Sequence, residues 1–362
     1  MADPLKAWIR SPQPPMTPSV PWPRLLDLLL ERRDLEPQQA SALMNGWLSG
    51  AIEPVLTGAL LAALRAKGVS GSELAAMAVV LREASPVPAA RPALPLVDTC
   101  GTGGSGVESF NISTAVAFTA AACGAAVAKH GNRSASGRVG SADVLEALGV
   151  DLAAPPERVL AALREAGVTF VFAPGWHPAL VGLAPLRRSL GVRTVFNQLG
   201  PLVNPLRPEA QVLGVARPDQ LEPMAEALAR LGPGRAVVVH GHGGLDEATL
   251  SGPNDLLLVE RGEWRRQSLD AADVGLEPAP LEALLGGDLA TNRSILEAVL
   301  QGGGSRAQRQ VVALNTALVL WAAGVAPGVA EAVPTALEVL ASGAPWQRLE
   351  QLRAALSSPV GG

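Results

Sequence analysis

The chain has 362 residues, enough for two domains or for one with a large insertion. With 48% apolar residues it can bury a core, which excludes a disordered chain; a formal net charge of −4 gives no global attraction to nucleic acid or an anionic membrane, and 7 Trp, 5 Phe and no Tyr supply little for stacking on single strands. Cys100 and Cys123 are too few for a disulfide scaffold or a cysteine metal site, so a reducing, cytoplasmic compartment is the expectation.

Residues 1–22 carry Pro4, Pro12, Pro14, Pro15, Pro18 and Pro21 without the apolar run of a signal peptide, and read as a flexible extension. From Pro23 onward Leu26, Leu29 and Leu30 recur at helical spacing, followed by Leu43, Trp47 and Leu48. Residues 55–66 and 70–81 continue the pattern, with Ser70 or Ser72 as a cap and Glu73 in the first turn. These four helices make a small all-α domain, set at residues 23–92 and running into a proline-rich linker.

Beyond the linker, short apolar strands alternate with helices. Leu96-Val97 enters a glycine-rich turn, a helix covers 113–123, a strand 125–128, a helix 141–148 and a strand 169–172, and residues 235–240 (RAVVVH) form the clearest buried strand. This alternation predicts an α/β domain with a mostly parallel central sheet and flanking helices. Residues 256–260 and 263–267 read as an antiparallel excursion, and 308–356 as helical. The weakly polar runs 115–128 and 317–330 fall short of the roughly 18 residues of a membrane span and are expected as buried helices.

Four segments carry chemistry. In 98–106 (DTCGTGGSG) the glycines at 101, 103, 104 and 106 let backbone N–H groups approach an anion, and Asn111, Ser113 and Thr114 stand where a helix N-terminus favours phosphate. A dinucleotide fingerprint is disfavoured because the last glycine does not open the helix, and a P-loop because no Gly-Lys-Ser/Thr follows. Residues 129–143 bring three cations, one histidine, three serines and three glycines to the end of a buried strand, which suits a polyanion. In the third segment His177 is either a ligand contact or the polar tip of a packed side chain. Arg187 and Arg188 are surface charges unless an anionic substrate makes one a carboxylate clamp. Residues 193–205 read as a hinge-like crossover rich in turn residues. Last, Asp246-Glu247 after the strand 235–240 offers adjacent carboxylates for Mg²⁺, or simply favours a helix start.

Taken in order, GTGGSG…SFNIST, KHGNRSASGRVGSADVLEALGV, FAPGWHPAL…APLRRSLGVRTVFNQLGPLVNP and HGHGGLDEATL resemble the anthranilate phosphoribosyltransferase family from Pro23 to the C-terminus. The resemblance implies transfer of the phosphoribosyl group of phosphoribosyl pyrophosphate to anthranilate, in tryptophan biosynthesis, by a cytoplasmic homodimer that uses Mg²⁺. It also implies a helical domain with a returning segment near 178–205, and an α/β domain over 93–177 and 206–362.

By position it implies that Gly101, Gly104, Ser105, Ser109, Asn111, Ile112, Ser113, Thr114, Lys129, His130, Gly131, Asn132, Arg133, Ser134, Ala135, Ser136, Gly137 and Ser141 hold phosphoribosyl pyrophosphate. Ser113, Asp246 and Glu247 are implied for the metal. Gly101, Asn132 and Arg187 are implied for anthranilate, with His130, His177 and Gly200 lining its path. No general base is assigned; Lys129 acts electrostatically. Ser105 departs from the family pattern, which has Asp after the GTGG glycines, so one carboxylate is missing beside the diphosphate. A nucleoside phosphorylase shares such an architecture but has no need of the acidic pair.

Overall fold

The computed structural model describes residues 21–85, 87–88, 91–134 and 139–357. Residues 1–20 of the expected extension lie outside the described residues, as do Ala135, Ser136, Gly137 and Arg138 of the second chemical segment.

The first four helices are α1 (Trp22–Leu30), α2 (Pro37–Leu48), α3 (Pro54–Lys67) and α4 (Gly71–Ala84). Proline sits in the first turn of α1, α2 and α3, where its missing N–H interrupts no helical bond. Ser70 caps α4: its hydroxyl accepts from Glu73 N–H, and Glu73 accepts in return from Ser70 N–H at 2.8 Å. The buried Glu73 carboxylate also accepts from Leu35 N–H and Lys67 Nζ, each at 2.8 Å, which ties α4 to the ends of its neighbours.

The larger part follows as β1 (Leu96–Gly101), α5 (Ile112–Ala122), β2 (Ala126–Gly131), α6 (Ser141–Ala147), α7 (Pro156–Glu165), β3 (Val168–Phe172), α8 (Ala173–Trp176), α9 (Ala184–Leu190), α10 (Val195–Leu202), β4 (Ala210–Gly214), α11 (Leu221–Leu231), β5 (Arg235–His240), β6 (Asn254–Glu260) and β7 (Glu263–Leu269). Helices α12 (Leu289–Leu300), α13 (Arg306–Ala322), α14 (Val329–Ala341) and α15 (Ala344–Ser357) end it. The strands form one seven-stranded sheet in the order β3-β2-β1-β4-β5-β6-β7, parallel through β5 and antiparallel at β6 and β7. The inner strands are apolar almost without a break because both faces are covered. Val237, Val239 and Leu256 face the core shared with α5 and α13, whereas Ala236, Val238 and Leu257 face α11 and the N-terminal helices.

Three sequence expectations change. The crossover at 193–205 contains a helix, α10, despite Gly200 and Pro201. Val195, Phe196, Leu199 and Leu202 are buried at helical spacing, and Pro201 falls in the last turn, where it leaves the helix intact. The runs 115–128 and 317–330 are not continuous helices: Gly124 (φ 98°) and Gly324 (φ 71°) adopt the left-handed conformation just past α5 and α13, and the first run continues as strand β2. The helical tail at 308–356 is likewise divided, into α13, α14 and α15.

Strand order places the switch point of the sheet between β1 and β4, since the chain leaves β1 toward β2 and returns past it to β4 and β5. Open α/β sheets bind ligands at the carboxyl ends of strands at that point. The loops that follow β1, β2, β4 and β5 all emerge there.

Candidate active site

At the end of β1 the chain turns through three glycines in the left-handed region: Gly103 (φ 67°), Gly104 (φ 83°) and Gly106 (φ 81°). Gly101 is required for a different reason. A Cβ there would stand 2.1 Å from Asp246 Oδ2. The absent side chain lets the Asp246 carboxylate reach the loop and accept from Gly103 N–H at 2.7 Å. Ser105 turns its hydroxyl inward, onto the Val107 carbonyl at 3.1 Å.

Helix α5 then begins at Ile112, which is fully buried, with Asn111 at the cap position. Asn111 Nδ2 donates to the Val139 carbonyl at 3.1 Å, while its Oδ1 and the Thr114 hydroxyl are buried without a partner among the described residues. Ser109, just before the cap, bridges to Leu285.

Lys129 lies on β2, 3% exposed, and donates from Nζ to the Thr99 carbonyl at 2.7 Å and to Ser113 Oγ at 3.1 Å. Burial lowers its pKa, while the charges of Cys100, Asp98, Glu247 and Asp246 oppose that shift. The Ser113 backbone N–H bonds the Glu247 carboxylate. Burial raises the pKa of both acids, and Glu247 rises furthest because Asp246 stands beside it. Lys129, Ser113, Asp246, Glu247 and the glycine loop therefore form one group. Two neighbouring buried carboxylates and a hydroxyl are hard oxygen donors whose repulsion a divalent cation relieves, so the set fits Mg²⁺.

The second half of the site lies around His130, which is 5% exposed. Its Nε2 is 3.2 Å from His177 Nε2, and His177 Nδ1 is 2.9 Å from the Ser85 hydroxyl. His130 also bonds the Gly200 backbone, so three of the residues expected along one path do meet. Burial, then the facing His177, drops the His130 pKa to about 3; burial, then Arg207, drops that of His177 to about 4. Both rings are neutral near pH 7.

Arg187 is half-buried, with its guanidinium 5.0 Å from the centre of the Phe196 ring. Asn132 is exposed after Gly131, where a Cβ would meet Ser141 Oγ and the Phe170 ring. Arg133 does not join Lys129: it is exposed, pairs with Asp143 and Glu146 of α6, and lies over the Phe172 ring. Ser134 N–H is held by Asp143 at 3.3 Å.

Four contributors were not assigned roles from the sequence. Buried Asp98 accepts from His130 N–H and Asn204 Nδ2, each at 3.0 Å, and Asn204 Nδ2 also donates to the Ala128 carbonyl at 2.8 Å. Burial lifts the Asp98 pKa to about 6 against those bonds. Ser85 holds His177, and Arg193 reaches the β1 loop. The sequence signal for Asp98 was an acid inside an otherwise apolar strand.

Residues 93–345 match the glycosyl transferase family a/b domain, and residues 23–85 match the helical bundle domain of the same family. The anthranilate phosphoribosyltransferase of Prochlorococcus marinus (strain MIT 9313) is 65% identical over 96% of this chain and 99% of its own length. That of Synechococcus sp. (strain CC9311) is 66% identical over 94% and 98%. The chain belongs to the anthranilate phosphoribosyltransferase family. Its fold is accordingly that of the family: an N-terminal helical bundle and a larger α/β domain. The crystal structure of the Thermus thermophilus anthranilate phosphoribosyltransferase superimposes with a TM-score of 0.85, at 46% identity over 92% of this chain and 99% of that one. The Saccharomyces cerevisiae enzyme in complex with PRPP and Mg shares the fold at 24% identity, with a TM-score of 0.81 over 93% and 98% of the two chains.

Proposed function

We propose that this member of the family transfers the phosphoribosyl group of 5-phosphoribosyl 1-pyrophosphate to the amine of anthranilate. The products are N-(5-phosphoribosyl)anthranilate and pyrophosphate, in the second step of tryptophan biosynthesis from chorismate. One observation carries the reading. In a chain 65% identical to an anthranilate phosphoribosyltransferase, the glycine loop, Lys129 and the Asp246–Glu247 pair meet at the switch point of the sheet.

Breaking the C1–O bond builds positive charge on the ribose and negative charge on the leaving diphosphate. The Lys129 ammonium and the amides of the glycine loop that Gly214 and Asp246 do not already hold are in place to meet that negative charge. Ser113, Asp246 and Glu247 would hold Mg²⁺, which when bound neutralises charge on the phosphates. Asn111 Oδ1 and the Thr114 hydroxyl, buried and unpartnered among the described residues, suit the phosphoribosyl group: the first can accept from a ribose hydroxyl and the second can donate to a phosphate oxygen. Ser109, Ile112, Ser141 and residues 130–134 complete its walls in this proposal. Ser105 offers no carboxylate and its hydroxyl is already engaged, so its cost falls on substrate affinity before turnover.

Anthranilate's aniline nitrogen is uncharged at neutral pH and attacks without prior deprotonation. Positioning is then most of the task. Arg187 clamps the carboxylate, with Gly101 and Asn132 at the ring, while His130, His177 and Gly200 line the approach. Because both imidazoles are neutral, they do not compete with Arg187 for the carboxylate.

The same reading makes the protein a cytoplasmic homodimer joined through its helical domain. In support, Leu30, Val55, Val181 and Val192 are exposed apolar side chains in or beside that region. Loss of anthranilate fluorescence with phosphoribosyl pyrophosphate and Mg²⁺ tests the reaction. A folded sample that leaves the fluorescence unchanged overturns it.

A further inference from the structure

Arg193 directly precedes the Thr194 cap of α10 and crosses to the loop after β1. Its Nη2 donates to the Thr102 carbonyl. The guanidinium lies over Gly104, where an added Cβ would stand 2.3 Å from Nη1, so only glycine admits it. The Thr102 carbonyl belongs to the same peptide unit as Gly103 N–H, which Asp246 holds at 2.7 Å. One peptide plane is thus gripped at both ends, by a cation on its oxygen and an anion on its nitrogen. The rest of Thr102 is anchored too. Its N–H donates to the Gly214 carbonyl at 2.9 Å, and its hydroxyl accepts from Ala216 N–H at 3.3 Å.

A guanidinium carries five N–H donors in a planar fork. Arg193 engages the Thr102 carbonyl, and among the described residues its Nη1 and Nε have no hydrogen-bond partner. It is half-buried: burial lowers its pKa, the charge of Asp246 opposes that shift and Arg65 adds to it. Against the acids Asp246 and Glu247, the loop has the buried Lys129 on the β2 side. Ser105, next to Gly104, places no carboxylate beside the fork. A doubly charged oxyanion seated on the Gly104 amide would meet the unpaired arms of Arg193, a geometry that matches phosphate.

We propose that Arg193 is a second cation of the diphosphate site, one arm fixing the Thr102–Gly103 peptide and the others binding diphosphate oxygens above Gly104. This deepens the proposed function and rests on it for the identity of the ligand. The test uses the full chain with pyrophosphate and with phosphoribosyl pyrophosphate, each titrated calorimetrically in the presence of Mg²⁺. Arg193→Gln keeps an N–H for the Thr102 carbonyl but removes the charge and the fork. It weakens both ligands by about tenfold or more, raises KM for phosphoribosyl pyrophosphate in step, and leaves KM for anthranilate within about twofold. Arg193→Lys, which retains the charge, falls between Gln and wild type. A purely structural arm predicts wild-type affinity in the Gln variant, and that result overturns the proposal, as does a change confined to the anthranilate KM. If Arg193→Gln melts early, the Lys variant decides, through its affinity for pyrophosphate. A wild-type protein that binds pyrophosphate but does not consume anthranilate refutes the function and not the role of Arg193.

Discussion

The two ends of the candidate site are built in opposite ways. The end proposed for the diphosphate is made by backbone and buried charge: left-handed glycines after β1, Lys129 on β2, and two acids after β5, all on the parallel part of one sheet. The aromatic end is assembled from separate pieces: Ser85 after α4, His130 on β2, His177 after α8, Arg187 on α9 and Gly200 on α10. The first end has charges that burial makes costly unless a ligand arrives. The second has neutral rings and one cation resting on Phe196. Under the proposed function, the contrast assigns charge stabilisation to the ends of the sheet's strands and substrate selection to the segments around the crossover.

The largest expected effect breaks the first end. Asp246→Asn with Glu247→Gln removes both acids without changing shape, and Mg²⁺-dependent turnover falls by on the order of 10³. Initial rates across a Mg²⁺ series check this; an unaltered metal dependence removes the acids from the metal role. Next in size, Lys129→Met takes away the buried ammonium and lowers kcat by on the order of 10². Rapid-quench measurement of pyrophosphate release reads it, and a change in the anthranilate KM alone would move Lys129 to the other end.

The legibility of the two ends in the sequence differs for the same reason. Lys129, the glycines and the Asp246–Glu247 pair were readable because each stands at the end of a short apolar strand or within a few residues of it. The strand RAVVVH itself was placed at its observed bounds. Asp98, Asn204, Ser85 and Arg193 were not readable, since their partners are distant in the chain: His130 lies 32 residues from Asp98, and Asn204 lies 106 residues from it. Arg133 is the reverse case. As one of three cations in a short segment it reads as a ligand group, yet α6 turns Asp143 and Glu146 toward it, and only the helix phase reveals that. Helix α10 was hidden by Gly200 and Pro201, although its buried residues keep helical spacing.

At the aromatic end a smaller effect is expected from Arg187→Ala. Removing the guanidinium raises the Michaelis constant for anthranilate by roughly tenfold or more and leaves that for phosphoribosyl pyrophosphate nearly unchanged. Steady-state kinetics with each substrate varied in turn decide it. If only the phosphoribosyl pyrophosphate constant moves, the contrast between the ends collapses.

The smallest effect is one of stability and sharpens the picture of the neutral rings. In the folded chain His130 titrates at about 3 and His177 at about 4, against an ordinary histidine value near 6.5. Between about pH 4 and 6.5 the unfolded chain therefore holds more protons at these sites than the folded one, and folding stability declines as pH falls through that window. Asp98 acts with the opposite sign. Its folded value of about 6 lies above its ordinary 3.8, so the folded chain gains protons there as pH falls. It offsets one of the two histidines, and Asp246 and Glu247, whose pKa values burial also raises, act in the same direction as Asp98, so the histidine contribution is read as the difference between variant and wild type in the change of melting temperature from about pH 7 to about pH 5. His177→Gln cannot take up a proton and keeps a polar contact for Ser85. Acidification destabilises that variant less than wild type, because one of the two sites that bind protons only on unfolding is gone. Melting curves by circular dichroism at the two pH values measure both slopes; a Gln variant as steep as wild type would show that the Ser85–His177–His130 chain does not hold the rings neutral.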